Sequence, residues 1–197
     1  MPRLDPLPPD HTPELKPYFD FFLTTLGFAP NSVLTMQRKP KLVQAFAQLN
    51  AAVMDPAGKV DLGFRRLIGN LASKAAGCLY CQAHTALGAK NFGVDEARLA
   101  ALWDFRTSAL FSEKERVALE FALAAAAQPN AVTDELFAEL RRHWSDEEIV
   151  EILGVVAMFG FLNRWNDTMA TPLEPVAAAL GEKVLGTRGW TAGKHAR

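Results

Sequence analysis

The sequence predicts an all-α protein on three observations. Apolar residues recur at helical spacing through most of the 197 residues, capping residues recur at the boundaries, and no run alternates apolar and polar residues as a half-buried strand does. With 49% hydrophobic residues the chain can bury a sizeable core, which excludes disorder over its whole length. A net charge of -1 leaves no positive excess to neutralise a nucleic-acid backbone or an anionic membrane surface. The longest apolar run, Ile152 to Leu162, is eleven residues and falls short of the roughly 20 needed to cross a bilayer. Two cysteines are too few for a disulfide-stapled secreted scaffold, and the first thirty residues lack the order of a signal peptide, so a cytoplasmic protein is expected.

Three regions and about nine helices follow from the punctuation. Residues 1–13, with Pro2, Pro6, Pro8, Pro9 and Pro13, read as a proline-rich arm lying over the body or a neighbouring subunit. Residues 14–185 read as one helical domain and 186–197 as a flexible tail. Glu14 to Leu26 is an amphipathic helix closed by Gly27, Asn31 to Gln37 a helical turn, and Pro40 opens a helix that ends near Asp55-Pro56. Asp61 to Ala76 places Leu62, Leu67, Ile68 and Leu71 on an apolar band, with Arg65, Arg66 and Lys74 left to solvent. Gly77 breaks the pattern, and Cys78 to Lys90 forms the next helix, with the cysteines at its N-terminus. Asp95 caps another helix through Trp103. Ser112 with Glu115, and Ser145 with Glu148, have capping-box spacing, while Thr133 caps Asp134 to His143. The strongly apolar helix after Ser145 is expected at the centre of the fold.

Cys78-x-x-Cys81-x-x-His84 is the cluster with reactive potential. The thiolate is the reactive form of cysteine, and a helix N-terminus and a nearby imidazole both favour it. Residues three apart share a helix face, so the two sulfurs and the imidazole can lie along one stripe, close enough for reversible disulfide closure. Two other readings stand beside this one: buried cysteines that only pack, and three of four zinc ligands, with His143 or an acid as the fourth. Tyr80, between the cysteines, can steer a proton or simply pack. His11 and His195 lie in the ends and carry no case.

Gly77-Cys78-Leu79-Tyr80-Cys81-Gln82-Ala83-His84-Thr85 resembles the core of the carboxymuconolactone decarboxylase/AhpD-like superfamily, in its alkylhydroperoxidase, peroxidase-related branch. Leu26 to Ser32 and Asn163-Arg164-Trp165-Asn166-Asp167 are similar to that branch as well. The resemblance implies a helical, homo-oligomeric, cofactor-free antioxidant peroxidase that acts on hydrogen peroxide or an organic hydroperoxide. It further implies Cys81 as peroxidatic cysteine, Cys78 as its resolving partner, His84 in the proton relay, and a lipoyl- or thioredoxin-like dithiol as reductant. In the AhpD pattern the histidine stands one residue further on, a shift of about 100° around the helix. That pattern also has a glutamate where this chain has Arg66, so the relay carboxylate must come from elsewhere; Glu120 is one candidate and Asp167 a weaker one. Decarboxylation of a lactone, and a non-catalytic redox sensor or scaffold, are the alternative functions.

Overall fold

The structure is a computed structural model that describes residues 1–196, and among these there is no strand. Ten α-helices follow in order: α1 Lys16–Leu26, α2 Asn31–Met36, α3 Pro40–Val53, α4 Leu62–Ala75, α5 Leu79–Asn91, α6 Glu96–Ala101, α7 Glu113–Ala126, α8 Asp134–His143, α9 Asp146–Met169 and α10 Pro175–Leu180. Both capping boxes form, at Ser112 with Glu115 and at Ser145 with Glu148. Thr133 caps α8, Asp61 caps α4, and Gly27 closes α1 with φ 85°. Each such cap satisfies backbone N–H groups that the first turn leaves orphaned, for about 1 kcal/mol. Asp95 precedes α6 without a side-chain capping bond.

The centre of the fold is α4 rather than α9. Every residue from Gly63 to Ser73 is buried, whereas α9 leaves Val150 70% exposed and Leu153 44% exposed. This corrects the expectation that Arg65 and Arg66 face solvent: they are 1% and 8% exposed, and of the three cations only Lys74 is exposed. The helix is enclosed by α5, α7 and α9, which leaves no solvent face for a guanidinium.

Helices α4 and α5 form an antiparallel hairpin. Gly77 turns the chain at φ 72°, a left-handed conformation that glycine adopts without a Cβ clash. Polar side chains pin the pair. Asn70 Nδ2 donates to Gln82 O at 2.8 Å and to Thr85 Oγ1 at 3.0 Å, while the Cys78 N–H donates to Ser73 O at 3.0 Å. Trp103 Nε1 donates to Asn70 Oδ1 at 3.0 Å, completing a buried network with its partners in place.

Both termini are fastened to this body. The arm has no regular helix before Pro13; Arg3 N donates to Met169 O at 2.9 Å, and Gln37 Nε2 donates to Pro8 O at 2.9 Å. The C-terminal stretch, expected to be loose, packs on α5 and beside α9. Trp190 is 3% exposed and donates to Leu79 O at 3.1 Å, and His195 is fully buried.

Candidate active site

The site is assembled at the start of α5. Cys78 is the helix N-cap, and its Sγ accepts the Cys81 N–H at 3.5 Å. Both cysteines are free thiols and both are buried, Cys78 at 0% and Cys81 at 2% exposure. A small cavity of about 50 Å³, room for a few water molecules or a short group of heavy atoms, opens beside Cys81. Cys81, Tyr80, His84, Arg66 and Asn166 border it together with apolar side chains. Cys78 is not among the bordering residues.

The two sulfurs have opposite electrostatics. A hydrogen bond from the Cys81 thiol, aided by the backbone N–H groups of Cys81 and Tyr80, holds the Cys78 thiol below its usual value against the cost of burial. Burial pushes the Cys81 thiol well up, and the hydrogen bond to Cys78 adds to this. The pair therefore ionises first at Cys78, where the N-terminus of α5 stabilises negative charge. Asn166 Nδ2 donates to Cys81 Sγ at 3.4 Å and is the group that favours charge there.

His84 lies on the same cavity and is held from three sides. Its ring stacks on Tyr80 at 4.1 Å between centroids, and Phe28 meets it edge-on at 5.5 Å. On the third side, Nε2 lies 2.5 Å from Glu174 Oε2. Glu174 is the N-cap residue of α10, and its other oxygen accepts from the Asn31 N–H at 2.5 Å and from Tyr80 Oη at 3.0 Å. Burial opposes charge on Glu174, yet the His84 charge and these hydrogen bonds hold the carboxyl below its ordinary value. Tyr80 is pushed well above its ordinary value by burial and by the Glu174 charge, so it remains a neutral donor.

The carboxylate beside the histidine is thus neither candidate named from the sequence. Glu120 pairs with Arg106, whose Nη2 lies 2.7 Å from Glu120 Oε2 at the surface, because α7 turns that residue outward. Asp167 is 40% exposed and pairs with Lys194 Nζ at 2.8 Å. Glu174 was legible only as the one charged residue between Asp167 and Glu182, set between Pro172 and Pro175. His195, dismissed at the sequence level, is buried with Nδ1 2.8 Å from Thr171 O, and its ring is 5.9 Å from that of Tyr80. His143 pairs with Glu139 at 3.2 Å, and no group of three or more His, Cys, Asp or Glu side chains among the described residues is arranged to hold a metal ion.

Comparison with known proteins bears on the family and the fold. The model of the carboxymuconolactone decarboxylase family matches residues 40–124, the span that holds the α4–α5 hairpin. The uncharacterized protein YdfG of Bacillus subtilis (strain 168) is 30% identical over 104 residues, 52% of this chain and 68% of that one. The chain belongs to the carboxymuconolactone decarboxylase family. Another relative, the uncharacterized protein YnjA of Escherichia coli (strain K12), is 29% identical over 115 residues, 58% of this chain, and the match spans 63% of its length. Among solved structures, the debrominase Bmp8 is 36% identical with a TM-score of 0.86, covering 91% of this chain and 96% of that one. A further structure of Bmp8, with a cysteine replaced by alanine, holds 2,3,4-tribromopyrrole. A peroxidase-related protein with an alkylhydroperoxidase AhpD core, from Ralstonia eutropha JMP134, is 25% identical with a TM-score of 0.75 over 87% of this chain and 88% of that one. The all-helical architecture is the AhpD-like fold of this family.

Proposed function

We propose that this member of the family is a dithiol enzyme that reduces hydroperoxides at Cys81. The observation that carries the reading is a single one: Cys81 borders the cavity beside a His84–Glu174 pair, with a second, more acidic thiol hydrogen-bonded behind it. The Cys78 thiolate accepts the Cys81 proton as Cys81 sulfur attacks the terminal peroxide oxygen. The O–O bond breaks, Cys81 becomes a sulfenic acid, and the departing alkoxide takes a proton from His84 and leaves as an alcohol. The Cys78 thiol then attacks the sulfenic sulfur and its proton passes to the departing hydroxide, so that a Cys78–Cys81 disulfide and water form. A lipoyl- or thioredoxin-like dithiol reduces that disulfide and closes the cycle. Glu174 is a positioning residue that fixes the His84 ring and offsets its charge when protonated.

The likeness to Bmp8 supports a second reading, reductive dehalogenation of a small aromatic ring. In it Cys81 sulfur takes the halogen as a cation while the ring carbon takes a proton, and attack by Cys78 releases halide with the same disulfide. Lactone decarboxylation needs neither sulfur. A third possibility, assembly of copies of the chain, fits the exposed Val150 and Leu153 on α9.

One assay separates the three reactions. Purified protein is given a dithiol and, in parallel, an organic hydroperoxide, a bromopyrrole or carboxymuconolactone, and alcohol, bromide and residual lactone are measured. Dithiol-dependent alcohol formation is expected, with a loss of about 10³-fold or more in Cys81→Ser. Cys78→Ser is expected to slow even the first turnover, because it removes both the acceptor of the Cys81 proton and the resolving thiol. Turnover that survives Cys81→Ser would falsify the mechanism, and bromide release without alcohol would transfer it to the second reading.

A further inference from the structure

Arg66 stands on the wall of the same cavity, and nothing in the fold neutralises it. It is 8% exposed, and its guanidinium lies 5.7 Å over the Phe92 ring. Its Nε has no hydrogen-bond partner among the described residues. No carboxylate bears on it: burial is the sole influence, lowering its pKa to about 10, so it stays a cation at neutral pH. A buried cation without a counter-charge is costly, and proteins tolerate it where an anion arrives from outside.

The backbone makes room for it. Gly88 lies inside α5, where glycine is less favourable than alanine. A Cβ there would stand 2.9 Å from Arg66 Cδ and 3.0 Å from Nε, so any larger residue would move the side chain. Beside Arg66 and Cys81 the cavity lining is mainly apolar, at Phe22, Phe46 and Phe159, with the polar Thr25, Ser32 and Asn50 among it. A ligand that satisfies all of this has an apolar body, one anionic end at Arg66 and its other end at Cys81.

We propose that Arg66 is the anion-recognition residue of this site and receives the carboxylate of a small apolar acid that carries the reducible group. A guanidinium offers a carboxylate two parallel N–H donors, and the burial of Arg66 strengthens that pairing. The inference names the substrate class of the proposed reduction, and its test needs no turnover.

Binding of butyrate and of butan-1-ol, nearly equal in shape and different in charge, is measured by calorimetry on the full chain with its thiols reduced. Butyrate is expected to bind about tenfold tighter or more. Arg66→Met is expected to bring butyrate down to the level of butanol, and Arg66→Lys to keep part of the difference. A merely structural arginine would change thermal stability without changing that preference. Equal affinity in the unaltered chain, no butyrate binding at millimolar concentration, or a preference that survives Arg66→Met would each overturn the assignment. If Arg66→Met does not fold, Gly88→Ala serves in its place, because the added methyl displaces the guanidinium. A chain that prefers butyrate yet reduces neither a hydroperoxide nor a bromopyrrole would keep this inference and discard the proposed reaction.

Discussion

Arg65 and Arg66 are consecutive residues of one buried helix, and their surroundings could hardly differ more. Arg65 points toward α3 and α9: Nη2 lies 2.7 Å from Glu151 Oε2, and Nη1 donates at 3.0 Å to the carbonyls of both Val53 and Asp55. Arg66, turned about 100° around the helix, borders the cavity and meets no carboxylate. The first region is closed and its charge is paired, although Arg65 Nε, like Arg66 Nε, has no hydrogen-bond partner among the described residues. The second keeps a cation, the Cys81 thiol and a histidine beside empty space. Burial alone therefore does not tell a structural arginine from a functional one; the accounting of partners does.

The largest effect that tests this contrast is on stability. Arg65→Met removes the counter-charge of Glu151, which keeps only the Lys59 and Val60 N–H groups, and two bonds to carbonyls, and is expected to cost about 3 kcal/mol in denaturant unfolding, with turnover per folded molecule unchanged. Arg66→Met removes an uncompensated buried charge and is expected to be at least as stable as the unaltered chain. If the two variants lose equal stability, the contrast is broken.

An intermediate effect concerns the carboxylate that does have a functional partner. Glu174→Gln keeps an acceptor for the Asn31 N–H but removes the charge facing His84, and a fall in kcat of about 10- to 100-fold is expected, most pronounced where His84 must be protonated. The same carboxyl has a folded pKa below its ordinary 4.5, so its charged form is stabilised by folding. That contribution is complete above the unfolded value and is lost as pH falls through the folded one. Acid unfolding followed below about pH 4.5 should therefore show a shallower loss in Glu174→Gln than in the unaltered chain; identical slopes would remove Glu174 from the ionised pair.

The smallest effect compares two helical glycines. Gly154 in α9 has ordinary room, with Val53 Cγ2 at 3.7 Å from a built Cβ, and Gly154→Ala should stabilise the chain by about 0.5–1 kcal/mol through helix propensity. Gly88→Ala gains the same propensity and loses more by crowding Arg66, so a net destabilisation is expected in the thermal midpoint. A stabilised Gly88→Ala would show that the guanidinium moves aside freely.

Much of the fold was legible because helix boundaries are local. The two capping boxes, the Thr133 cap, Gly27 and Gly77 all act within a few residues of themselves, and the chain uses them where the pattern says. The placement of Cys78 and Cys81 at the start of α5 was legible for the same reason. The partner of His84 was not. Glu174 is ninety residues further along the chain and reaches His84 only because α10 packs against α5, while the sequence pointed to Glu120 and, more weakly, to Asp167.

By itself, then, the sequence determined the all-helical class, the helix limits and the dithiol at a helix N-terminus, since hydrophobic period, capping and backbone sterics operate over one or two turns. Only the tertiary structure decided that α4 is enclosed on all sides, that Arg65 is paired while Arg66 is not, and that Glu174 stands behind His84. Those outcomes depend on which faces meet across long separations in the chain. Such meetings are settled by the packing of the whole core, which no local pattern records.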